Sequence, residues 1–295
     1  MKIIKSPADA QKYFLYITRR RKTIGFVPTM GALHDGHVSL IRRARRENDV
    51  VAVSIFVNPT QFGPREDFKK YPRPFKRDIA ICRREKVDVV FAPSPVDMYP
   101  EGFDTEISVG NRKSRISDIL CGASRPGHFK GVATVVAKLF NIVCPARAYF
   151  GQKDYQQLKI IERMAEDLNF PVKIIPCPTV RESSGLAMSS RNIYLSADEK
   201  RLAPAIYKII SGAKKDPSGF LGLKHNCSIS AKMLENEIAR RIKESVKGSE
   251  IDYVSVLNAG DLTHIEKLSP RISSSLWRIL VAVRMKSGTR LIDNV

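Results

Sequence analysis

The sequence has no apolar run long enough to span a membrane, and little in it points to secretion or metal binding. No stretch approaches the roughly 20 apolar residues of a membrane helix, and the first residues lack the apolar core of a signal peptide. The five cysteines are odd in number and scattered without the spacing of a metal site. We therefore expect a cytoplasmic protein with reduced, mostly buried thiols and no membrane contact.

The charge balance is strongly basic, with 50 Lys and Arg against 30 Asp and Glu, a net charge of +20. Such a balance suggests a polyanionic partner. However, most basic clusters lie on stretches with the pattern of amphipathic helices, and no aromatic-basic alternation accompanies them. We therefore interpret the clusters as solvated helix faces. Nucleic-acid binding is the alternative, and it predicts strongly salt-dependent binding to a polynucleotide. The clusters are Arg19–Lys22, Arg42–Arg46, Arg83–Lys86 and Arg240–Lys243.

Short apolar runs alternate with helical patterns over the first 180 residues. This alternation, with continuous Val and Ile runs, favours an α/β fold with a doubly wound, Rossmann-like parallel sheet. In such a sheet the ligand crevice lies beyond the carboxyl ends of the strands. The predicted strands are Ile24–Val27, Val50–Val57, Val87–Phe91, Ala148–Phe150 and Val172–Ile175. The predicted helices are Val38–Glu47, Phe75–Arg84, Phe129–Asn141 and Tyr155–Leu168.

The remaining sequence predicts a smaller α+β domain, with a boundary that divides the chain into residues 1–179 and 180–295. Ser196 and Glu199 form a capping-box pattern at the start of a helix that we expect to run through Ile210. A loop is predicted from Gly212 to Cys227. The other predicted elements are a helix at Ser230–Val246 and strands at Ile251–Leu257, Leu280–Met285 and Arg290–Ile292.

One stretch, Pro28 to His37, reads Pro-Thr-Met-Gly-Ala-Leu-His-Asp-Gly-His between a predicted strand and a predicted helix. Backbone N–H groups and the dipole at a helix N-terminus form an anion site. A single histidine there is usually a surface residue or a cap. Here His34 and His37 bracket a glycine and add two donors. The stretch lacks the Gly and Lys spacing of the Walker and dinucleotide patterns. It favours an ATP phosphate site in an enzyme that adenylylates its substrate.

The same stretch resembles the HxGH loop of the pantothenate synthetase (pantoate–β-alanine ligase) family of the nucleotidyltransferase superfamily. Further blocks resemble that family in family order, from about Ile24 to Leu195. The resemblance implies ATP-dependent condensation of (R)-pantoate with β-alanine through pantoyl adenylate, which releases AMP and pyrophosphate. It also implies a homodimer. The blocks are Phe56–Phe62, Tyr71–Arg73, Arg125–Val132, Phe150–Leu158 and Met188–Asn192.

The resemblance implies a role for individual residues. The catalytic set would be His34, His37, Lys153 and Arg191, because negative charge gathers on the phosphate oxygens in the adenylylation transition state. His37 is the candidate proton donor. Gln61 and Gln157 would bind the substrates pantoate and β-alanine. The ATP-binding residues would be Met30, Gly31, Ala32, Leu33, His34, Asp35, Gly36, His37, Gly151, Gln152, Lys153, Asp154, Val180, Met188, Ser189, Ser190 and Arg191.

Magnesium is expected mainly on the ATP phosphates. Some family members have adjacent acids where this sequence reads Phe-Lys-Arg-Asp, so Asp78 is the candidate outer contact. Domain 1–179 would bind nucleotide and pantoate, and domain 180–295 would carry the Met188–Asn192 segment as a mobile loop. Arg125 and His128 would have a supporting role near the substrate entrance.

Two other enzyme classes compete with this interpretation. Another member of the superfamily could form a dinucleotide-type product, but the two glutamines and the Arg-Pro-Gly-His-Phe block argue against it. An aminoacyl-tRNA synthetase is disfavoured because about 115 residues after the boundary leave little room for an anticodon-binding module.

Overall fold

The computed structural model describes residues 1–64, 66–110, 115–224, 227–269 and 271–295. Within these residues the chain divides into two compact units. The first unit comprises Met1–Gln152 and Gln157–Val180, and the second comprises Lys153–Gln156 and Arg181–Val295. The roles assigned above to domains 1–179 and 180–295 stay predictions.

Parallel strands form the central sheet of the first unit. They are β1 (Lys2–Ile4), β2 (Ile24–Thr29), β3 (Val50–Ile55), β4 (Val89–Phe91), β5 (Arg147–Gly151) and β6 (Lys173–Cys177). Their order is β1-β4-β3-β2-β5-β6, and every neighbouring pair is parallel. The chain passes from β2 to β3 on one side and places β5 on the other, so the strand order reverses between β2 and β5. This is the doubly wound sheet that the sequence predicts, and in sheets of this kind ligands bind at such a reversal.

Helices connect these strands. They are α1 (Pro7–Arg19), α2 (Asp35–Glu47), α3 (Phe75–Arg84), α4 (Pro95–Met98), α5 (Cys121–Ser124), α6 (His128–Val143) and α7 (Tyr155–Asp167). The four helices predicted for this part of the chain correspond to α2, α3, α6 and α7, which confirms them with end shifts of a few residues. Among the described residues, no helix combines the length and the apolar character needed to cross a membrane.

Helix α2 illustrates why these segments fold as helices on a sheet. Val38, Ile41 and Ala44 recur at helical spacing and are buried, and a fully buried Val or Ile side chain contributes about 2 kcal/mol. The opposite face is basic. Arg42 lies 2.7 Å from the Glu85 carboxylate. Acidic side chains therefore neutralise part of the basic cluster that we interpreted as a solvated helix face.

The sequence analysis predicted no element before Ile24, yet β1 and α1 occupy that region. The signals for α1 were present. Ser6 is its N-cap, accepting a hydrogen bond from the Asp9 amide at 3.3 Å, and Pro7 occupies the first helical position. Helix α1 was therefore missed although its local signals are present in the sequence.

The second unit has a small α+β architecture, as predicted. Its helices are α8 (Ala197–Leu202), α9 (Pro204–Lys215), α10 (Pro217–Phe220) and α11 (Ala231–Ser245). Its strands are β7 (Ile229–Ser230), β8 (Glu250–Asn258), β9 (Lys267–Leu268), β10 (Trp277–Arg284) and β11 (Arg290–Asn294). An antiparallel sheet has the order β11-β10-β8, and β7 pairs with β9. Apolar side chains of α9 and α11 pack with those of β8 and β10 in one core.

Two predictions for this unit were wrong in detail. The helix expected from Ser196 through Ile210 is divided, because Pro204 has no N–H to continue α8 beyond Leu202. The capping box at its start is confirmed, since the Ser196 and Glu199 side chains each accept the other's backbone N–H. The segment predicted as a loop from Gly212 to Cys227 contains the end of α9 and all of α10, and its residues 225 and 226 lie outside the described residues.

The cysteines are mostly buried, as predicted. Cys82, Cys121 and Cys177 are buried, whereas Cys144 and Cys227 are half-buried. Burial raises the pKa of the Cys82 thiol to about 12, so this side chain packs as a neutral apolar group.

Candidate active site

The loop that follows β2 turns sharply at the point where the strand order reverses. The Thr29 hydroxyl donates to the Ser54 carbonyl at 2.7 Å and accepts the Gly31 amide at 3.1 Å. Gly31 has a φ of +80° and Ala32 a φ of +49°. A Cβ on Gly31 would also lie 3.0 Å from a carboxylate oxygen of Asp78. Glycine therefore suits position 31, because another residue would be strained at this φ and its Cβ would press on the Asp78 carboxylate.

Asp78, on the first turn of α3, braces this loop. Its Oδ2 accepts the Ala32 amide at 2.9 Å and its Oδ1 accepts the Leu33 amide at 2.8 Å. The side chain is buried. Burial raises the pKa of Asp78, although the two amides and Arg77 oppose that shift. Both carboxylate oxygens are thus used by the loop, and the predicted outer contact of Asp78 with magnesium stays a prediction.

Asp78→Asn should destabilise the protein by about 2 kcal/mol, because the amide NH2 would face a backbone N–H that loses its acceptor. Activity should fall with it, since the loop carries the histidines. Urea unfolding followed with a steady-state assay measures both effects. The control is Asp118→Asn, which removes an exposed carboxylate 3.9 Å from Arg115. Equal stability of the two variants would contradict the bracing role.

His34 and His37 cap the start of α2 together. The Nδ1 atom of His34 accepts the Gly36 amide at 3.2 Å, and the Nδ1 atom of His37 accepts the His34 amide at 3.4 Å. Their ring centroids are 4.1 Å apart. Because each Nδ1 accepts an N–H, the hydrogen-bond pattern assigns the proton of each neutral ring to Nε2. Each ring therefore caps the helix through Nδ1 and carries an Nε2–H that can donate to a ligand, at the positive end of the α2 dipole.

Gly151 and Gln152 occupy the corresponding end of β5, across the reversal from β2. Within the part of the chain that the structure describes, a Cβ added to Gly151 would meet no atom within 4 Å. The backbone there borders open space, which a ligand can approach closely. Their predicted contact with ATP stays a prediction.

Gln61 lies in a 3₁₀ turn, Pro59–Gln61, shortly after β3. The side chain is buried, and its Nε2 lies 2.9 Å from the Met30 sulfur. Its Oε1 accepts from Asn58 Nδ2 at 3.2 Å. Gly131 permits this turn to pack against α6, because a Cβ there would lie 2.4 Å from the Thr60 carbonyl oxygen. The structure thus brings the predicted Gln61 next to the predicted Met30.

Asn58 was not singled out from the sequence as a site residue. Its side chain is buried and has partners on both sides. Nδ2 donates to the Gly131 carbonyl at 3.1 Å, and Oδ1 accepts from the Tyr99 hydroxyl at 2.7 Å. The available signal was its position directly after a buried strand.

Gln157, by contrast, is half-buried on the first turn of α7, and its binding role stays a prediction.

In the second unit, Lys153 precedes the N-terminus of α7. Its side chain is 20% exposed, and its Nζ lies 4.0 Å from Asp154 Oδ1. The Lys153 carbonyl accepts from Asn294 Nδ2 at 2.9 Å. A cation at the positive end of a helix dipole is unfavourable unless an anion is nearby. Asp154 lies only at the limit of ion-pair distance, so an anionic ligand would relieve this interaction further. Lys153 and Ser189 line one cavity of this unit, together with Leu186, Ala187, Asn192, Ala203, Ile206, Arg290, Leu291, Ile292 and Asp293.

The segment that carries Met188, Ser189, Ser190 and Arg191 is held at both ends. Arg181 forms a two-pronged ion pair with Asp293, at 2.6 and 2.7 Å. The four residues between are half-buried, and the Ser189 hydroxyl accepts the Arg191 amide at 3.3 Å. The mobility predicted for this loop stays a prediction.

Asn192, which the sequence analysis did not assign to the site, holds the C-terminal end of this segment through hydrogen bonds of its side-chain amide. Its Nδ2 donates to Glu182 Oε1 at 2.9 Å and to the Ala187 carbonyl at 3.1 Å. Among the described residues, its buried Oδ1 is a side-chain oxygen with no hydrogen-bond partner. A buried oxygen of this kind in a cavity lining can accept a donor from a ligand or from water.

The geometry thus pairs His34 with His37 and Gln61 with Met30 in the first unit, and Lys153 with Ser189 in the second. The predicted convergence of these groups on one triphosphate stays a prediction. So do the ATP contacts of Asp35, Asp154 and the half-buried Val180. Within the described residues, no cluster of three or more His, Cys, Asp or Glu side chains is arranged to hold a metal ion.

Comparison with known proteins identifies the family. The family model for pantoate-beta-alanine ligase matches residues 2–295. The pantothenate synthetase of Sulfurihydrogenibium sp. (strain YO3AOP1) is 47% identical over 295 residues, which cover 100% of this chain and 99% of the relative. The pantothenate synthetase of Thermotoga neapolitana is 48% identical over 297 residues, with 100% and 99% coverage.

Solved structures agree. The crystal structure of pantothenate synthetase from Thermus thermophilus has a TM-score of 0.88 and 41% identity, and the match covers 100% of this chain and 99% of that one. The pantoate-beta-alanine ligase from Francisella tularensis, complexed with β-γ ATP and β-alanine, has a TM-score of 0.78 and 38% identity, with 100% and 97% coverage. These matches confirm the resemblance, the fold class and the carbon–nitrogen ligase class. The chain therefore belongs to the pantoate–β-alanine ligase family.

Proposed function

We propose that this chain joins (R)-pantoate to β-alanine in an ATP-dependent reaction that passes through pantoyl adenylate and releases AMP and pyrophosphate. The observation that carries the ATP-dependent step is the mutual cap of His34 and His37 at the end of β2. Support also comes from the Francisella tularensis relative, whose structure holds β-γ ATP and β-alanine.

In the first step a carboxylate oxygen of pantoate attacks the α-phosphorus of ATP, and the bond from that phosphorus to the bridging oxygen breaks. Pyrophosphate leaves with the electron pair of that bond. The Nε2–H groups of His34 and His37 donate to the phosphate oxygens as negative charge gathers on them. Lys153 and Arg191 supply positive charge to the same phosphates. The Nε2–H of His37 would donate a hydrogen bond to the leaving oxygen, and a full proton transfer would require the imidazolium, in which Nδ1 no longer accepts the His34 amide.

In the second step the amine of β-alanine attacks the acyl carbon of the adenylate. The carbon–oxygen bond to the phosphate breaks, AMP leaves, and the nitrogen loses a proton as the amide forms. Water must be excluded because the adenylate hydrolyses readily. A closing Met188–Asn192 loop would exclude it.

The remaining residues would bind the substrates. Gln61 and Gln157 can donate to and accept from the hydroxyl groups beside the pantoate carboxylate, and Met30 with Val132 and Val135 would supply an apolar wall. Val132 and Val135 are buried. The nucleotide would contact the backbone and side chains of Gly31, Ala32, Leu33, Asp35, Gly36, Gly151, Gln152, Asp154, Val180, Met188, Ser189 and Ser190.

Magnesium would act mainly as a complex with ATP, with Asp78 as its candidate outer contact, because each Asp78 oxygen that accepts a loop amide keeps a second lone pair. Bound to the phosphates, it would neutralise part of their charge. A cytoplasmic location accords with the use of ATP. The homodimer that the family implies stays a prediction.

Pyrophosphate exchange tests the proposal. Labelled pyrophosphate should enter ATP when pantoate is present and β-alanine is absent, and it should not do so without pantoate. Addition of β-alanine should then release AMP in equal amount to pantothenate. Pantothenate formation that yields ADP and phosphate, without exchange, would exclude the adenylate.

A further inference from the structure

A chain of hydrogen bonds connects Glu66 to the backbone of Gln61 through two side chains that are distant in sequence. Nε and Nη2 of Arg125 donate to the two carboxylate oxygens of Glu66, at 2.7 and 2.5 Å. The side chains are only 16% and 24% exposed, so solvent screens this pair less than a surface pair. Burial works to raise the pKa of Glu66, but Arg125 and the Gly63 amide outweigh it and lower the pKa. Glu66 is therefore ionised at neutral pH.

The chain continues from Arg125 to His128. Nη1 of Arg125 lies 3.0 Å from Nε2 of His128. A guanidinium has only donors, so Nε2 of the imidazole accepts and Nδ1 carries the proton. That Nδ1 donates to the Gln61 carbonyl at 2.8 Å. Nη2 of Arg125 donates to the same carbonyl at 3.3 Å. The Gln61 carbonyl therefore accepts from two donors, Arg125 Nη2 and His128 Nδ1. Glu66 orients the Arg125 guanidinium, which provides the first donor and also contacts the His128 ring that provides the second.

We infer that Glu66 is a positioning residue for the acid-binding pocket and acts through Arg125 and His128 on Gln61. The inference rests on the proposed function, in which the Gln61 side chain binds pantoate. Fixing the Gln61 backbone sets the direction of its side chain, whose amide is already held by Met30 and Asn58. A small displacement of such a group weakens substrate binding and orientation.

Glu66→Ala should raise the KM for pantoate by about tenfold while changing the KM for ATP by less than about twofold. Glu66→Gln keeps one acceptor for Arg125 and should give an intermediate value. The control is Glu106→Ala, since Glu106 is 72% exposed and lies 3.5 Å from Lys130 in the same unit. That variant should leave both constants unchanged. Thermal unfolding of each variant shows whether the protein stays folded.

A double-variant cycle separates this positioning role from a general structural one. In a Gln61→Ala background, Glu66→Gln should have no additional effect on the pantoate KM, because the side chain that Glu66 positions is absent. Additive effects, equal rises in both KM values, or no change in Glu66→Ala would each overturn the inference. A normal pantoate KM in Gln61→Ala alone would instead overturn the proposed acid pocket, and the inference with it.

Discussion

His37→Ala should lower pantoate-dependent pyrophosphate exchange by about a thousandfold while leaving the protein folded, as expected when a preorganised donor to the phosphate oxygens is lost. The Nε2–H of His37 is a directed donor because its Nδ1 is engaged by the His34 amide. Loss of that cap should cost only about 1 kcal/mol of stability. Exchange assays with saturating pantoate, together with thermal unfolding, measure the two effects separately.

Two further substitutions at this position separate the cap from the catalytic donor. Asn can place an oxygen near the Nδ1 position, so His37→Asn should restore the cap but not the exchange. Gln can place an N–H near the Nε2 position, so His37→Gln should recover part of the exchange. If His37→Asn instead restored exchange to the wild-type rate, His37 would be a cap alone. His264→Ala, which removes an exposed histidine of the second unit, is the control for loss of an imidazole.

Local patterns in the sequence predicted most of the fold, because they reflect burial and chain geometry within one element. The run Val50–Val57 is continuous because β3 is buried on both faces, and its last two residues lie between the end of the strand and the turn at Pro59–Gln61. The division between α8 and α9 could also have been predicted from Pro204. It was missed because the apolar periodicity continues across the break.

The site could be predicted only where its residues are close in sequence. The strand, loop and helix around His34 and His37 follow local rules, so their placement was accessible. The brace from Asp78 to Ala32 joins residues 46 positions apart, and the ion pair from Arg125 to Glu66 spans 59 positions. No periodicity or capping rule encodes such pairs. The same holds for Asn192, whose unpartnered oxygen depends on how the amide is turned.

Lys153→Met should lower pyrophosphate exchange by about a hundredfold, because a point charge aimed at the phosphates is lost. The same substitution should leave the free protein as stable as the wild type or slightly more stable. The wild-type Lys153 side chain is 20% exposed, and its ammonium lies 4.0 Å from Asp154, next to the positive end of α7. Removal of a charge from that position relieves an unfavourable interaction. Thermal unfolding without ATP measures the stability of the free protein, and unfolding with ATP measures the added stabilisation by the bound ligand.

Lys159→Met is a matched control for this prediction. The Lys159 side chain is 21% exposed, almost as shielded as Lys153, but its ammonium lies 2.6 Å from Glu162. Its loss should leave Glu162 unpaired and lower stability slightly, while the stabilisation by ATP stays that of the wild type. Lys153→Met should show the opposite pattern, with stability kept and the ATP effect reduced. Equal stabilisation by ATP in the two variants would mean that Lys153 does not contact the phosphates. Lys153, which is held loosely by Asp154, would then contribute no more to ATP binding than Lys159, which is held closely by Glu162.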